Sequence, residues 1–82
     1  MEPQKTLSII VPSYNFENPD AVLKNLLHFN PKEIIVVDSS PNPPILPEND
    51  KIKLFHQSER NFPGAARNIG ASKARGDYLL FV

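Results

Sequence analysis

Two short segments in the first half of the chain, Leu7–Val11 and Glu33–Asp38, each carry a nearly continuous apolar run. Such runs are typical of strands buried on both faces of a parallel sheet, whereas half-exposed strands alternate apolar and polar residues. Pro12 is predicted to end the first strand. The stretch between the strands has apolar residues at helical spacing: Val22, Leu23, Leu26 and Leu27. Two buried strands around an amphipathic helix predict a βαβ unit with a right-handed crossover.

The ends of this helix are marked by residues with known preferences. Asn18, Pro19 and Asp20 supply a capping side chain, a proline for the first helical position and an acid for the first turn. We therefore predict that the helix begins there, with Asn18 as its cap. Asn30 and Pro31 interrupt the apolar pattern and predict the end of the helix.

The second half of the chain repeats the same order of elements. Ser39–Asp50 is too rich in proline to be helical and is predicted to be an extended loop. Lys51–His56 is predicted to be a third, outer strand. Pro63–Arg75 is alanine-rich and is followed by Gly76, which predicts a second helix, and Asp77–Val82 begins a fourth apolar strand. The order β-α-β-loop-β-α-β predicts an α/β fold with a doubly wound, mostly parallel, Rossmann-like sheet.

Composition excludes several classes of function. The formal net charge is zero, so no overall field draws the chain to nucleic acid or to an anionic membrane. The absence of cysteine removes disulfides, thiolate catalysis and zinc–sulfur sites, and it suits a reducing compartment. No apolar run approaches the length of about 18 residues that a membrane span needs. We therefore expect a cytoplasmic chain without a span, and attachment to the cytoplasmic face of a membrane through other regions stays open.

The predicted topology also indicates where a ligand would bind. Parallel sheets of this kind bind ligands beyond the carboxyl ends of their strands, where the strand order reverses. That rule points to Pro12–Phe16, to Asp38–Ser40 and to the region beyond Val82. A dinucleotide-binding unit is disfavoured because no Gly-x-Gly-x-x-Gly sequence follows the first strand. His28 and His56 have no partners at metal-ligand spacing and are predicted to be structural.

Four blocks of the chain resemble, in their order and spacing, the successive blocks of a family 2 glycosyltransferase: Leu7–Asn15, Glu33–Ser40, Gly64–Gly70 and Ala74–Val82. Each block is weak evidence alone, but together they span nearly the whole chain. The resemblance implies a GT-A fold and a nucleotide-diphosphate sugar as the donor. Residues 1–82 are then the incomplete N-terminal, nucleotide-binding part of such a domain, and the rest of that domain is the expected partner.

The resemblance further implies a nucleotide-sugar site that includes Pro12, Tyr14, Asn15, Asp38 and Arg67. Tyr14 is expected to lie against the base, a contact worth about 1–3 kcal/mol; the alternative is a loop tyrosine that packs on the first helix. Asp38 is expected to accept a hydrogen bond from the base or the ribose; the alternative is an Asx turn. Arg67 would pair with phosphate or with a carboxylate of the site, and otherwise is a solvated helix charge. For Asn15, donor contact and a simple turn are equally favoured.

Ser39 stands where many members of that family have a second aspartate, so a UDP-sugar is favoured as the donor but not required. The family pattern places an Asp-rich motif, which holds Mg²⁺ or Mn²⁺, just after Val82. No catalytic or metal-binding residue is therefore assigned within this chain.

These expectations lead to two functional hypotheses. The first is that the parent protein is a glycosyltransferase of the hexosyltransferase type, active in glycan biosynthesis, and that these 82 residues alone are inactive. Its acceptor would be a polysaccharide, a glycan or a lipid. The alternative is a stand-alone, non-catalytic nucleotide-binding module.

Overall fold

The computed structural model describes residues 4–57 and 63–82. Within these ranges the chain forms a four-stranded sheet and two helices, in the predicted order. The elements are β1 (Leu7–Ser13), α1 (Pro19–Leu27), β2 (Glu33–Asp38), β3 (Ile52–His56), α2 (Pro63–Lys73) and β4 (Tyr78–Phe81). The predicted α/β fold is confirmed. In the described ranges, neither helix is long and apolar enough to cross a membrane.

All neighbouring strands of the sheet run parallel, in the order β3-β2-β1-β4. The chain moves outward from β1 to β2 and β3, and it then returns to the other side of β1 to form β4. The strand order therefore reverses at β1, which is the kind of switch point where sheets of this class bind ligands.

The first strand is longer than its sequence predicts, because it runs through Pro12 to Ser13. The prediction that Pro12 ends the strand is wrong. Residues of a parallel strand direct their backbone groups alternately to the two neighbours. Ser13 accepts a hydrogen bond from the β2 side, and Ile10 accepts one from Val82 on the β4 side. The missing N–H of Pro12 thus falls on the β4 side, beyond the last register pair of β1 with β4, Ile10 with Phe81. The pairing of β1 with β2 therefore continues through Pro12 to Ser13.

The core consists of two apolar layers, one on each face of the sheet. On one face Leu23 of α1 is fully buried against β1 and β2, together with Ile9, Val11, Ile34 and Val36. On the other face Ala66 of α2 packs with Ile10, Ile35 and Val37. Gly70 of α2 lies so close to β1 that an added Cβ would overlap the side chain of Ile10. The small residues of α2 thus allow the helix to approach the sheet closely, as predicted.

The helix α1 begins and ends near the predicted residues, but its cap differs from the prediction. Asn18 precedes the helix in a left-handed conformation (φ 51°), and its side chain makes no capping hydrogen bond. Its carbonyl oxygen instead accepts a bond from the Val22 N–H at 3.2 Å. Asn30 ends the turn after α1, also with φ 51°. Asparagine tolerates this conformation better than other non-glycine residues do.

The amino-terminal edge of the sheet is organised around Glu33, which is 1% exposed. Its Oε2 accepts hydrogen bonds from the Ser8 hydroxyl at 2.7 Å and from the Arg75 N–H at 2.6 Å. Lys53 donates to its Oε1 at 3.0 Å. Burial raises the pKa of Glu33, but these hydrogen bonds outweigh burial and hold the pKa below its ordinary value. A buried charge with three donors therefore joins β1, β2, β3 and the segment after α2.

Candidate nucleotide site

Three polar side chains form a row across the carboxyl ends of three adjacent strands. The register pairs Ser13 of β1 with Asp38 of β2, and Asp38 with His56 of β3. Side chains alternate between the two faces along a strand, so this row lies on the face of the sheet that α1 covers. The structure thus brings polar groups of three chain segments together at the edge where ligands bind in folds of this kind.

The carboxylate of Asp38 is the centre of this row and has no exposed surface. Its Oδ1 accepts hydrogen bonds from the hydroxyls of Ser13 and Ser40, both at 2.7 Å. Its Oδ2 accepts one from the Ser40 N–H at 3.1 Å. This last bond closes an Asx turn, which is the alternative role predicted for Asp38. An ionised carboxylate has about four acceptor positions, so Oδ2 retains the capacity to accept a further bond.

Ser40 joins the loop after β2 to the loop after β1. Its hydroxyl donates to Asp38 and accepts a hydrogen bond from the Asn15 N–H at 2.6 Å. A second link runs from the Ser39 N–H to the Ser13 carbonyl at 3.1 Å. Both serines are buried. The two loops that the sequence analysis selected as ligand-binding segments are therefore held against each other.

The conformation of Asn15 explains the choice of residue in the first loop. Asn15 has φ 51°, a left-handed conformation that asparagine adopts more readily than most side chains. In this conformation its backbone N–H donates to the Ser40 hydroxyl. The turn role is therefore present in the structure, while contact of its exposed side chain with a donor stays a prediction.

His56 belongs to this cluster, although its sequence context indicated only a structural residue. Its Nε2 lies 2.9 Å from the Ser40 carbonyl oxygen and 3.6 Å from Asp38 Oδ2. A carbonyl oxygen can only accept, so Nε2 carries the proton in this bond. His56 lies beside Asp38 because the register aligns the ends of β2 and β3. The sequence of either segment alone does not show this alignment.

The remaining predicted residues lie around this cluster or away from it. Pro12 is half-buried within β1, and Tyr14 is 43% exposed where the first loop begins. Arg67 is exposed on α2, which packs on the opposite face of the sheet from the Asp38 row. Among the residues that the structure describes, no hydrogen bond or ion pair joins Arg67 to the cluster. The structure therefore links Asn15 and Asp38 through Ser40, while Arg67 lies on the helix that covers the other face.

Metal ligands form no cluster in the part of the chain that the structure describes. No group of three or more histidine, cysteine, aspartate or glutamate side chains is close enough there to hold a metal ion. The described residues thus do not fit a divalent cation, and no step of a reaction can be assigned to one within them.

Comparisons with known proteins agree with the blocks identified in the sequence. A model of the family described as "Glycosyl transferase family 2" matches residues 8–82. A protein of Haemophilus influenzae, named as an uncharacterized glycosyltransferase, is 35% identical over 86 aligned positions. The aligned region covers 93% of this chain and 34% of that relative. The chain therefore spans about a third of the length of the curated relative it matches.

Proposed function

The chain belongs to glycosyl transferase family 2, and on that premise we propose that it forms the nucleotide-binding part of an enzyme that uses nucleotide-diphosphate sugars. The enzyme transfers the sugar to a polysaccharide, a glycan or a lipid, and UDP-sugars are the favoured donors. The observation that supports this proposal best is the link from Asn15 through Ser40 to Asp38. It holds the loops after β1 and β2 together at the carboxyl edge of a parallel sheet.

Each proposed site residue has a role that suits its exposure. Tyr14 is exposed enough for a base to stack on its ring. Asp38 is buried, so it contributes an ordered carboxylate whose Oδ2 accepts a ligand N–H or O–H once that atom is uncovered. Asn15 and Pro12 shape the loop that follows β1. Arg67 pairs with a phosphate only if the donor reaches α2, since that helix covers the opposite face of the sheet from the Asp38 row.

The complete enzyme is proposed to use Mg²⁺ or Mn²⁺, as the family pattern implies. When bound, such an ion neutralises charge on the leaving diphosphate. Because the described residues do not fit a metal, its ligands are proposed to follow Val82 in the complete domain. Residues 1–82 are accordingly proposed to bind the nucleotide and to be inactive in sugar transfer on their own.

Nucleotide titrations test this proposal with a matched pair of tyrosines. UDP and GDP are added to the 82-residue chain with and without Mn²⁺, and binding is measured by calorimetry. Tyr14→Ala is expected to weaken binding by about tenfold, since a stacked base is worth about 1–3 kcal/mol. Tyr78→Ala is the control, because Tyr78 is also exposed but lies at the start of β4, among the amino-terminal ends of the strands.

Two results would contradict the proposal. One is the absence of binding by either nucleotide, and the other is equal weakening by the two tyrosine substitutions. Hydrolysis or transfer of a nucleotide sugar by the 82-residue chain would contradict the claim that it is inactive alone.

A further inference from the structure

In the Asp38 row, the buried carboxylate of Asp38 lies beside the more accessible imidazole ring of His56. Asp38 has no exposed surface, and three internal hydrogen bonds engage its carboxylate. The side chain of His56, next in the row, is 25% exposed. At this end of the row, a ligand that approaches from solvent therefore meets the imidazole ring before it meets the carboxylate.

The bonds of His56 also determine which ring nitrogen is available. Nε2 donates to the Ser40 carbonyl, and in the neutral ring Nδ1 must then be an acceptor. Nδ1 has no hydrogen-bond partner among the residues that the structure describes. In the described part of the chain, the imidazole ring is thus oriented by a contact of one nitrogen with the protein, and the other nitrogen is an acceptor open to another molecule.

We propose that His56 is a nucleotide-contacting residue of this site, with Nδ1 accepting a hydrogen bond from a hydroxyl or ring N–H of the bound nucleoside. Ser40 and Asp38 act behind it as positioning residues, because their oxygens surround Nε2. This assignment rests on the proposed nucleotide site and adds a residue to it. It also gives the buried carboxylate a function that needs no direct contact with the ligand.

Nitrogen NMR of the imidazole rings tests the assignment on the unsubstituted chain. The sequence contains two histidines, so the spectrum holds two rings, and His28 at the end of α1 is an internal control. In the free chain the His56 ring is expected as the Nε2–H tautomer. UDP, or GDP if only that nucleotide binds, is expected to shift the His56 Nδ1 resonance and to leave the His28 resonances in place.

Substitutions separate ligand contact from a purely structural role. A glutamine side chain places an amide near the position of Nε2, so His56→Gln retains a donor for Ser40 but loses the Nδ1 acceptor. We expect it to bind the nucleotide about five- to tenfold more weakly, as the loss of one hydrogen bond implies. An asparagine oxygen lies near the position of Nδ1, so His56→Asn is expected to bind more tightly than His56→Gln. His28→Gln is expected to match the parent chain.

The outcomes distinguish this assignment from the proposed function itself. If the parent chain binds a nucleotide while the His56 ring resonances stay in place, the assignment is overturned and the site proposal stands. Binding by His56→Gln within twofold of the parent has the same meaning. If the parent chain binds neither nucleotide, the proposed function fails, and this assignment fails with it.

Discussion

Replacing Glu33 by alanine is expected to remove a large part of the stability of the fold. Glu33 is buried at the amino-terminal edge of the sheet and accepts three hydrogen bonds. The substitution deletes the acceptor and leaves the Ser8 hydroxyl and the Arg75 N–H without it. Lys53 loses its ion pair, but its side chain is 42% exposed and water can solvate the ammonium group.

The magnitude follows from these contacts. A hydrogen bond to a charged group contributes about 1.5–3 kcal/mol, so the two bonds to Oε2 together imply a loss of about 3–6 kcal/mol. The exposed pair with Lys53 adds at most about 1 kcal/mol. At roughly 0.05–0.15 kcal/mol per residue, a chain of this length has a free energy of unfolding of only about 4–12 kcal/mol. The substitution is therefore expected to remove a large part of that free energy of unfolding.

Urea denaturation followed by circular dichroism measures the effect. With a slope of about 1 kcal/mol per molar urea, the midpoint is expected to fall by about 3 M or more. Glu33→Gln retains an acceptor oxygen and is expected to lose less. Glu48→Ala, at an exposed loop position, is the control and is expected to change stability by less than about 0.5 kcal/mol. A midpoint for Glu33→Ala equal to that of the Glu48→Ala control would refute the reasoning.

Three further predictions concern other parts of the fold. Gly70→Ala is expected to lower the free energy of unfolding by about 1–3 kcal/mol, because its Cβ would overlap a β1 side chain. Gly64→Ala is expected to stabilise α2, because an added Cβ would meet open space there. Thermal melts in which Gly70→Ala is the more stable variant would contradict this packing. The pKa of Glu33 is lowered in the folded chain, so the ionised side chain contributes its full stability above its ordinary pKa of 4.5. That contribution is lost as the pH falls through the lower pKa of the folded chain. Below pH 4.5, denaturation midpoints should therefore fall less steeply for Glu33→Gln than for the parent. Ser40→Ala is expected to cost about 1–3 kcal/mol, since it removes one of the two hydroxyl donors to Asp38 Oδ1 and leaves the Asn15 N–H without its acceptor. Ser72→Ala, at an exposed helix position, should have little effect in the same denaturation assay, and equal losses would argue against the loop link.

The elements that are marked by local patterns were predicted well. The bounds of β2 agree with the prediction, because the two carboxylates at its ends flank an unbroken apolar run. The start of α1 at Pro19 also agrees, because proline at the first helical position sacrifices no hydrogen bond. These signals depend on neighbouring residues, so a reading of the sequence detects them.

The predictions that failed depended on the direction of backbone groups. Pro12 was expected to end β1, but its effect on the ladder depends on which neighbour faces its missing N–H. Asn18 was expected to cap α1 through its side chain, but it adopts a left-handed conformation and offers its carbonyl instead. In both cases the residue type was informative, and the direction of its backbone groups decided the outcome.

In the candidate site, too, local features were predicted from the sequence and contacts between distant segments were not. The sequence indicated the loops after β1 and β2 and selected Asp38, but it did not indicate that Ser40 joins those loops or that His56 lies beside the carboxylate. The roles of Tyr14 and Arg67 stay predictions.

By itself, the sequence determined the strands, the helices, the parallel topology and the family, since apolar periodicity, turn residues and ordered blocks are all properties of contiguous segments. Only the tertiary structure decided which polar groups meet. The partners Ser13 and Asp38 lie 25 positions apart, and Ser8 and Glu33 are separated by the same number. The physical reason is the strand register: one shift by a single residue would turn these side chains to the other face of the sheet and separate every pair.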